Sequence, residues 1–367
     1  MPEMEQILQA AGDLLGSELF NPVDLGGNPR STVLRCHMAS GGSVIVKSYS
    51  TEPQGLRSFA SEAAGLSLRL AGPELLGVDV DVPLLVMTDL GRAPTLADVL
   101  LGDDPEAARK GLLAWARGLG RLAAESVGRR ADLARIRERY DKGVPSWEDE
   151  PWIEQAAADL LVLLDRAEVP VPYGLAEELA EIGRAVRKEY SAFTPGDTCP
   201  DNNLLTPDGL KLIDFEGSCF QSVFLTAAYC RMPFSTCWCV FRLPRGLAED
   251  VEHAFRAEIV TAYPILAEDA LWRAGVRQAM AVWTVDATVA LLPRVLTEDR
   301  PMHRTRRPVP TMRQLLRHRW EMLGVAEDFP ALAETMRLLM RKVAGSWAVA
   351  PLPEYPAFSA QSVTDVS

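Results

Sequence analysis

The length, composition and charge of the sequence limit the classes to which the protein can belong. Its 367 residues exceed what one ordinary hydrophobic core holds, so two lobes or domains are expected. With 48% hydrophobic and 24% charged residues, the composition is typical of a folded globular protein rather than a disordered one. A net charge of −12 argues against nucleic-acid binding and favours a cationic ligand.

Membrane insertion and metal binding by cysteine are also disfavoured. No stretch reaches the roughly 18 uninterrupted apolar residues of a membrane span. The start, MPEMEQILQAAGDLL, has early acids and helical spacing instead of the pattern of a signal peptide, so we expect a cytoplasmic protein. The six cysteines include one close pair, Cys237 and Cys239, and the chain has four histidines. Because this spacing does not bring metal ligands together, we expect buried, reduced thiols.

The N-terminal part of the chain predicts helices and strands in alternation. Residues 1–20 have the apolar spacing of an amphipathic helix. A glycine-rich turn, a strand over 32–37, a Gly-Gly turn and a strand over 43–49 then form a hairpin. Residues 56–71 predict a second helix, and two strand-like runs, ELLGVDV and PLLVMTDL, complete this region.

From Gly91 onward the pattern is mostly helical. Helical periodicity covers 94–128, 152–166, 175–192, 247–262, 268–291 and 328–345. One polar segment interrupts it, FTPGDTCPDNNLLTPDGLKLIDFEG, which predicts short strands at 203–205 and 210–213 around a Pro-Asp-Gly turn. We therefore predict an α+β fold with a small β-rich N-terminal lobe over 1–90, a large helical C-terminal lobe over 91–355, and a flexible tail over 356–367.

The polar segment contains the residue types that phosphoryl transfer requires. That reaction needs charge neutralisation at the phosphates, oxygen ligands for Mg²⁺ and a carboxylate near the attacking hydroxyl. Asp197 is a candidate base, and Asn202, five residues later, is a candidate metal-binding amide. Asp214, which follows the hairpin, can return a second carboxylate to the same metal. Asp and Asn are also common turn residues, so a coincidental arrangement is the alternative.

The same segment resembles the catalytic loop and the metal-binding Asp-Phe element of protein kinases. It resembles more closely the aminoglycoside phosphotransferase family, whose loop reads His-Gly-Asp-x-x-Pro-x-Asn before an Ile-Asp-Phe-Glu. The matching positions are Gly196, Asp197, Pro200, Asn202, Ile213, Asp214, Phe215 and Glu216. The resemblance implies a bilobal, protein-kinase-like fold and an enzyme that transfers the γ-phosphoryl group of ATP or GTP, with Mg²⁺, to a small-molecule hydroxyl.

The resemblance also assigns nucleotide-binding roles in the N-terminal part. Lys47, at the end of the run Val-Ile-Val-Lys, corresponds to the lysine that holds the α- and β-phosphates, and Glu62 corresponds to its glutamate partner. The residues at the position of the phosphate-covering turn are Gly26, Gly27, Asn28 and Ser31. A strand-end lysine, a solvated glutamate and an ordinary hairpin turn are the alternative interpretations.

The run LLVMTDLG resembles the connector that meets the adenine base in this family. Met87 would line the back of the nucleotide pocket, and the adenine edge would meet the main chain near Thr88 and Leu90. Composition alone would predict only a buried strand here.

Two features of the family pattern are missing. Pro195 stands where a histidine precedes the catalytic aspartate, and the stretch 225–228 has no acid where a loop-bracing aspartate is expected. Pro195 fixes its own φ and favours an extended Thr194, so the backbone and the packing of Phe193 can stiffen the loop instead. Because every residue that would touch nucleotide or metal is present, we expect an active enzyme. The alternative is a catalytically weak or inactive pseudokinase that acts as a nucleotide-binding regulatory module.

The acceptor is not identified by the sequence. By resemblance it lies against the helical lobe, where acids bind cationic sugars. The candidates are Glu216, Glu249, Asp250 and Glu252. A solvated helix face explains the last three equally well, and the basic run RPMHRTRRP argues for an anionic group instead. An antibiotic, as in a resistance enzyme, and an intermediary metabolite both remain open.

Overall fold

The structure is a computed structural model that describes residues 3–188, 190–232, 234 and 237–359. Its helices are α1 Met4–Leu15, α2 Pro53–Ser67, α3 Leu96–Leu100, α4 Pro105–Ser126, α5 Arg130–Arg137, α6 Trp152–Arg166, α7 Leu175–Lys188, α8 Val223–Arg231, α9 Arg245–Ile259, α10 Asp269–Val295, α11 Met312–Leu323, α12 Pro330–Lys342 and α13 Pro356–Ser359. Its strands are β1 Leu19–Asn28, β2 Ser31–Met38, β3 Ser43–Tyr49, β4 Leu75–Asp79, β5 Leu84–Thr88, β6 Ser191–Thr194, β7 Asn203–Thr206, β8 Gly209–Leu212 and β9 Cys219–Ser222.

The chain forms two compact units. The first comprises Met1–Thr95, Glu125–Glu150 and Ala192–Phe220, and the second comprises Leu96–Ala124, Pro151–Ser191 and Gln221–Ser367. The sequence predicted a single boundary near residue 90, whereas in the structure two later segments belong to the same unit as the N-terminal sheet. The predicted α+β class is confirmed, with strands concentrated in the N-terminal part and helices in the C-terminal part.

The first unit is built on a five-stranded antiparallel sheet in the order β1-β2-β3-β5-β4. Apolar side chains of α1 and of one sheet face form its core, in which Ile7 and Ala11 pack with Leu34, Val46 and Val86. The alternation of strand side chains sends every second residue of β3 into this core. Helix α2 connects β3 to β4, so its residues follow Lys47 closely along the chain.

The polar segment predicted from the sequence forms the hairpin of β7 and β8. Asn203 pairs with Leu212 and Thr206 pairs with Gly209, in agreement with the two predicted strands. Leu204 also forms an isolated antiparallel bridge with Thr95, which ties the hairpin to the end of the segment after β5. The hairpin is therefore an integral part of the first unit.

The second unit is organised around the 27-residue helix α10. Helices α6, α7, α8 and α11 pack against it. A Cβ added at Gly275 would lie 2.4 Å from the ring of Phe224, so only glycine allows α10 and α8 to approach this closely. The indoles of Trp272 and Trp320 are buried in this unit.

Local capping explains where the predicted helices differ from the observed ones. The predicted helix over 94–128 is divided into α3 and α4, because the Asp104 carboxylate accepts the amides of Glu106 and Ala107, both at 3.0 Å, and begins a new helix there. Helix α11 was not predicted, although a capping box between Thr311 and Gln314 marks its start.

The C-terminal segment starts with a short helix. The predicted tail 356–367 begins with α13, in which Ala357 and Phe358 are buried, and residues 360–367 lie outside the described residues. Among the described residues, no helix is both long enough and apolar enough to cross a bilayer.

Candidate active site

A buried cluster of charges surrounds Lys47 in the first unit. Its side chain projects from β3 and is 5% exposed as a residue. The Nζ atom lies 2.6 Å from Oε2 of Glu62 and 2.9 Å from Oδ1 of Asp214. Oε2 of Glu216 is 3.9 Å away. The structure thus brings together the lysine, the helix glutamate and the Asp-Phe aspartate that the sequence identified separately.

Burial and charge act in opposite directions on this cluster. Burial disfavours the ammonium of Lys47, but the carboxylates of Asp214, Glu62 and Glu216 outweigh it and raise the pKa of Lys47. Burial raises the pKa of Glu62 to about 7, although Lys47 works against that shift. The Tyr49 hydroxyl also donates to Oε2 of Glu62. Lys47 therefore stays charged, and Oε2 of Glu62 accepts hydrogen bonds from both Lys47 and Tyr49.

Two glycines, one in α2 and one after it, allow close packing against the segment that carries Asp214. A Cβ added at Gly65 of α2 would lie 2.2 Å from Oγ of Ser218, and one at Gly72 would lie 2.5 Å from the ring of Phe215. Phe215 itself is 1% exposed and stacks on Phe193 with ring centroids 6.2 Å apart. This close packing fixes Asp214, the residue before Phe215, against the lysine.

Asp197 lies at an exposed position in the loop after β6. The loop turns at Gly196, whose φ of +93° favours glycine, and an added Cβ there would lie 2.5 Å from Cα of Gly217. Oδ1 of Asp197 accepts the amide of Cys199 at 2.9 Å, which orients the carboxylate within the loop. The geometry suits a base that must reach a ligand from the surface of the unit.

Asn202 and Asp214 are brought next to one another by the backbone. The amide of Ile213 donates to the carbonyl of Asn202 at 3.1 Å, so Asp214 follows directly after a residue bonded to Asn202. Nδ2 of Asn202 donates to the carbonyl of Asp197 at 3.4 Å, which leaves its amide oxygen as the candidate ligand. Amide and carboxylate oxygens are the ligands that Mg²⁺ prefers, and these two residues fit such an ion.

The glycine-rich segment contacts Glu216. Gly26, Gly27 and Asn28 end strand β1, and the turn itself is Pro29-Arg30, because Asn28 pairs with Ser31. Nη2 of Arg30 lies 2.9 Å from Oε1 of Glu216. Nδ2 of Asn28 lies 3.4 Å from the same oxygen. Glu216 therefore lies with the residues predicted for the nucleotide, whereas the sequence grouped it with acceptor-binding acids. Arg30 was missed by the sequence interpretation.

The segment after β5 is anchored by an aspartate that the sequence interpretation did not single out. Asp89 accepts hydrogen bonds from Nε of Arg35 at 2.7 Å and from the Ser43 hydroxyl at 2.7 Å. Burial opposes its ionisation, but these bonds and one from the Gly91 amide lower the pKa of Asp89. Of the predicted adenine-side residues, Met87 is 3% exposed, while Thr88 and Leu90 are half-buried. The Thr88 amide donates to the carbonyl of Glu74 at 2.9 Å.

Trp147 is a second residue that the sequence interpretation left out of the site. Its Nε1 donates to the backbone carbonyl of Glu216 at 2.9 Å. The guanidinium of Arg57 lies over its ring, 4.8 Å from the centroid. Trp147 is 69 residues from Glu216 along the chain, so no local signal could have revealed the contact.

The acids of α9 belong to the second unit and differ in accessibility. Glu252 is 4% exposed, and its carboxylate accepts from Arg231 and, at 2.8 Å, from Nε1 of Trp272. The predicted acceptor-binding role of Glu252 is therefore not supported, because both of its oxygens are engaged inside the fold. Asp250 is exposed and Glu249 is half-buried, and each pairs with an arginine.

No protein-family model matches the sequence, and no curated protein matches it. Several solved structures do match. A choline/ethanolamine kinase family protein from Mesorhizobium loti is 17% identical, with 87% of this chain and 93% of that chain covered and a TM-score of 0.46. A macrolide 2′-phosphotransferase from Brachybacterium faecium is 14% identical, with 79% and 93% covered and a TM-score of 0.46.

A third match is APH(2″)-IIa in a ternary complex with streptomycin and ATP. It is 12% identical, with 82% of this chain and 94% of that chain covered and a TM-score of 0.49. At these identities and TM-scores, the matches carry no argument about what this chain binds. The geometry of the site residues has to support the function.

Proposed function

We propose that this protein is a small-molecule kinase that transfers the γ-phosphoryl group of ATP or GTP to a hydroxyl of its acceptor. The observation that carries the proposal is the position of the Lys47 ammonium between Glu62, at 2.6 Å, and Asp214, at 2.9 Å. These three residues come from a strand, a helix and a distant loop. An ion pair that served stability alone would not need the second, partly exposed carboxylate.

The triphosphate side of the site has two cations. Lys47 and Arg30 both contact Glu216, at 3.9 and 2.9 Å, so a phosphate oxygen in this region would meet positive charge from β3 and from the β1–β2 turn. Gly26, Gly27, Asn28 and Ser31 would form the cover of the phosphates, and Met87, Thr88 and Leu90 would meet the base. The two cations lie among three carboxylates, those of Glu62, Asp214 and Glu216. This excess of negative charge favours the binding of a divalent cation.

Asn202 and Asp214 would hold Mg²⁺, which when bound neutralises charge on the phosphates. Asp197 would accept the proton of the acceptor hydroxyl while the acceptor oxygen forms a bond to the γ-phosphorus. The bond between the γ-phosphorus and the bridging oxygen breaks, and the nucleoside diphosphate leaves. Lys47 stabilises the charge that grows on the phosphate oxygens.

The acceptor class remains part of the proposal. The matching structures are named for choline or ethanolamine, a macrolide and streptomycin, which span metabolites and antibiotics. Glu249 and Asp250, which are less buried than Glu252, are the acids of α9 through which a cationic acceptor would bind. Pro195, in place of the expected histidine, is the observation that favours the second candidate, a pseudokinase.

The test is a measurement of Mg²⁺-dependent nucleotide binding and consumption. Calorimetry with MgATP and MgGTP should show binding that Lys47→Ala weakens and that Lys211→Ala, a lysine of strand β8, leaves unchanged. Nucleotide depletion is then followed over a panel of aminoglycosides, macrolides, amino alcohols, sugars and nucleosides. Depletion that rises with one compound identifies the acceptor.

Two results would contradict the proposal in different ways. Absence of Mg²⁺-dependent nucleotide binding would remove the nucleotide site altogether. Tight binding without turnover on any compound or on water would favour the pseudokinase.

A further inference from the structure

Asn203 has contacts that the nucleotide and metal roles do not explain. It is the first residue of β7, directly after Asn202, and its side chain is fully buried at 0% exposure. Its Nδ2 group donates to the carbonyl of Cys199 at 2.5 Å and to the carbonyl of Thr198 at 3.3 Å. Both carbonyls belong to the loop that begins with Asp197.

The orientation of this amide is set by its surroundings. Two carbonyl oxygens can be satisfied only by the NH₂ end of the side chain, since the amide oxygen would repel them. The Oδ1 atom of Asn203 points into buried space and has no hydrogen-bond partner among the described residues. Leaving a buried acceptor unsatisfied is unfavourable, so the two bonds to the loop must outweigh that cost. A residue kept only for packing would not carry this amide.

Asn203 also connects the loop to the strand pair that leads to Asp214. Its backbone pairs with Leu212 across the hairpin, two residues before Asp214. One side chain thus links the carbonyls that follow Asp197 to the strand that leads to Asp214.

We propose that Asn203 is the positioning residue of the catalytic loop, in the place of the two loop supports that are missing at Pro195 and 225–228. This inference rests on the proposed function, because it assigns Asp197 as the group to be held. Two further contacts support the start of the loop. The Ser126 hydroxyl accepts the Phe193 amide at 2.8 Å, and the Thr194 hydroxyl accepts the Gly196 amide at 3.1 Å. On the far side of the loop, Asn203 bonds the carbonyls of Thr198 and Cys199, and the Cys199 carbonyl also accepts the Asn202 amide at 3.0 Å.

The test compares Asn203→Leu and Asn203→Asp with Thr206→Val. Leucine keeps the volume and removes both donors, whereas a buried, protonated aspartate keeps one donor. Thr206 is the matched control, since its hydroxyl bonds the Gly209 carbonyl at 2.7 Å at the far end of the same hairpin. The measurements are MgATP affinity, single-turnover release of phosphate from MgATP with water as acceptor, and hydrogen exchange of the loop amides.

We expect Asn203→Leu to slow turnover by about 10²-fold, the usual effect of a misplacement near 1 Å, while MgATP affinity changes less than threefold. Asn203→Asp should fall between Asn203→Leu and the wild type. The Cys199 and Asn202 amides should exchange at least tenfold faster in Asn203→Leu, with no change in β2 and β3. Thr206→Val should leave turnover and loop exchange unchanged.

The outcomes separate this inference from the proposed function. If the loop amides of Asn203→Leu exchange hydrogen at the wild-type rate, the positioning role is overturned, whatever the activity of the variant. If Asn203→Leu does not fold, the loop-amide exchange of Asn203→Asp decides in its place. A parallel loss of MgATP affinity and turnover would mean a merely structural role. If the wild type neither binds nor hydrolyses MgATP, the proposed function fails, and the exchange data still decide whether Asn203 holds the loop.

Discussion

Gly65→Ala tests how closely α2 must approach the segment after Asp214. In an open helix this change would stabilise the protein by about 1 kcal/mol, because alanine is the better helix former. Here the new Cβ would lie 2.2 Å from Oγ and 2.9 Å from Cβ of Ser218, and 3.3 Å from the ring of Phe215. Both neighbours are buried, at 5% and 1% exposure, so neither side chain can move away freely.

The sizes of the packing cost and the helical gain decide whether Gly65→Ala stabilises or destabilises the protein. Overpacking of a buried site costs about 1–3 kcal/mol, and more at distances this short. After the helical gain is subtracted, we expect Gly65→Ala to lower the free energy of unfolding by about 1–2 kcal/mol. The displaced Phe215 should also move Asp214 from Lys47 and weaken MgATP binding by about tenfold, equivalent to about 1.4 kcal/mol.

Urea titration followed by tryptophan fluorescence measures the stability, and calorimetry measures the MgATP affinity. Gly246→Ala is the control, because no atom lies within 4 Å of its added Cβ. It should be neutral or stabilising by up to about 1 kcal/mol. Ser218→Gly should restore the Gly65→Ala variant in a double-mutant cycle. Equal effects of Gly65→Ala and Gly246→Ala, or no rescue, would refute the packing argument.

The remaining predictions concern the charged residues of the site. Asp214→Ala should abolish Mg²⁺-dependent nucleotide binding, because it removes a charged ligand, and calorimetry showing wild-type affinity would remove Asp214 from the metal site. Asp197→Asn should keep MgATP affinity and cut single-turnover transfer by about 10²–10⁴-fold, so a wild-type rate would contradict its role as base. Pro195→His in the same assay should give no gain. Burial raises the pKa of Glu62 to about 7, so turnover should fall as the pH drops below that value and its carboxylate gains a proton. Glu62→Gln should be slow at all pH values, and a profile that keeps the same acidic limb would assign it to another group.

The elements of the site were predictable because their signals are local. A buried strand that ends in Lys47, a helix that follows it, and a turn-rich segment with Asp197, Asn202 and Asp214 can each be recognised from a few consecutive residues. Their order along the chain then predicted the α+β fold that the structure has. The identity of the acceptor has no such local pattern.

Only the tertiary structure determined which residues far apart in the sequence contact one another. Arg30 and Glu216 are 186 residues apart, and no local sequence pattern predicts their ion pair. Glu252 reads as one acid of a solvated helix face, yet a neighbouring helix buries it against Trp272. The sequence placed Asn203 at the start of a short strand and gave it no role, because the two carbonyls that it bonds become its partners only when the loop folds back. Sequence periodicity determines which face of an element is apolar, whereas the partner of a polar group depends on which distant segment the fold brings within about 3 Å.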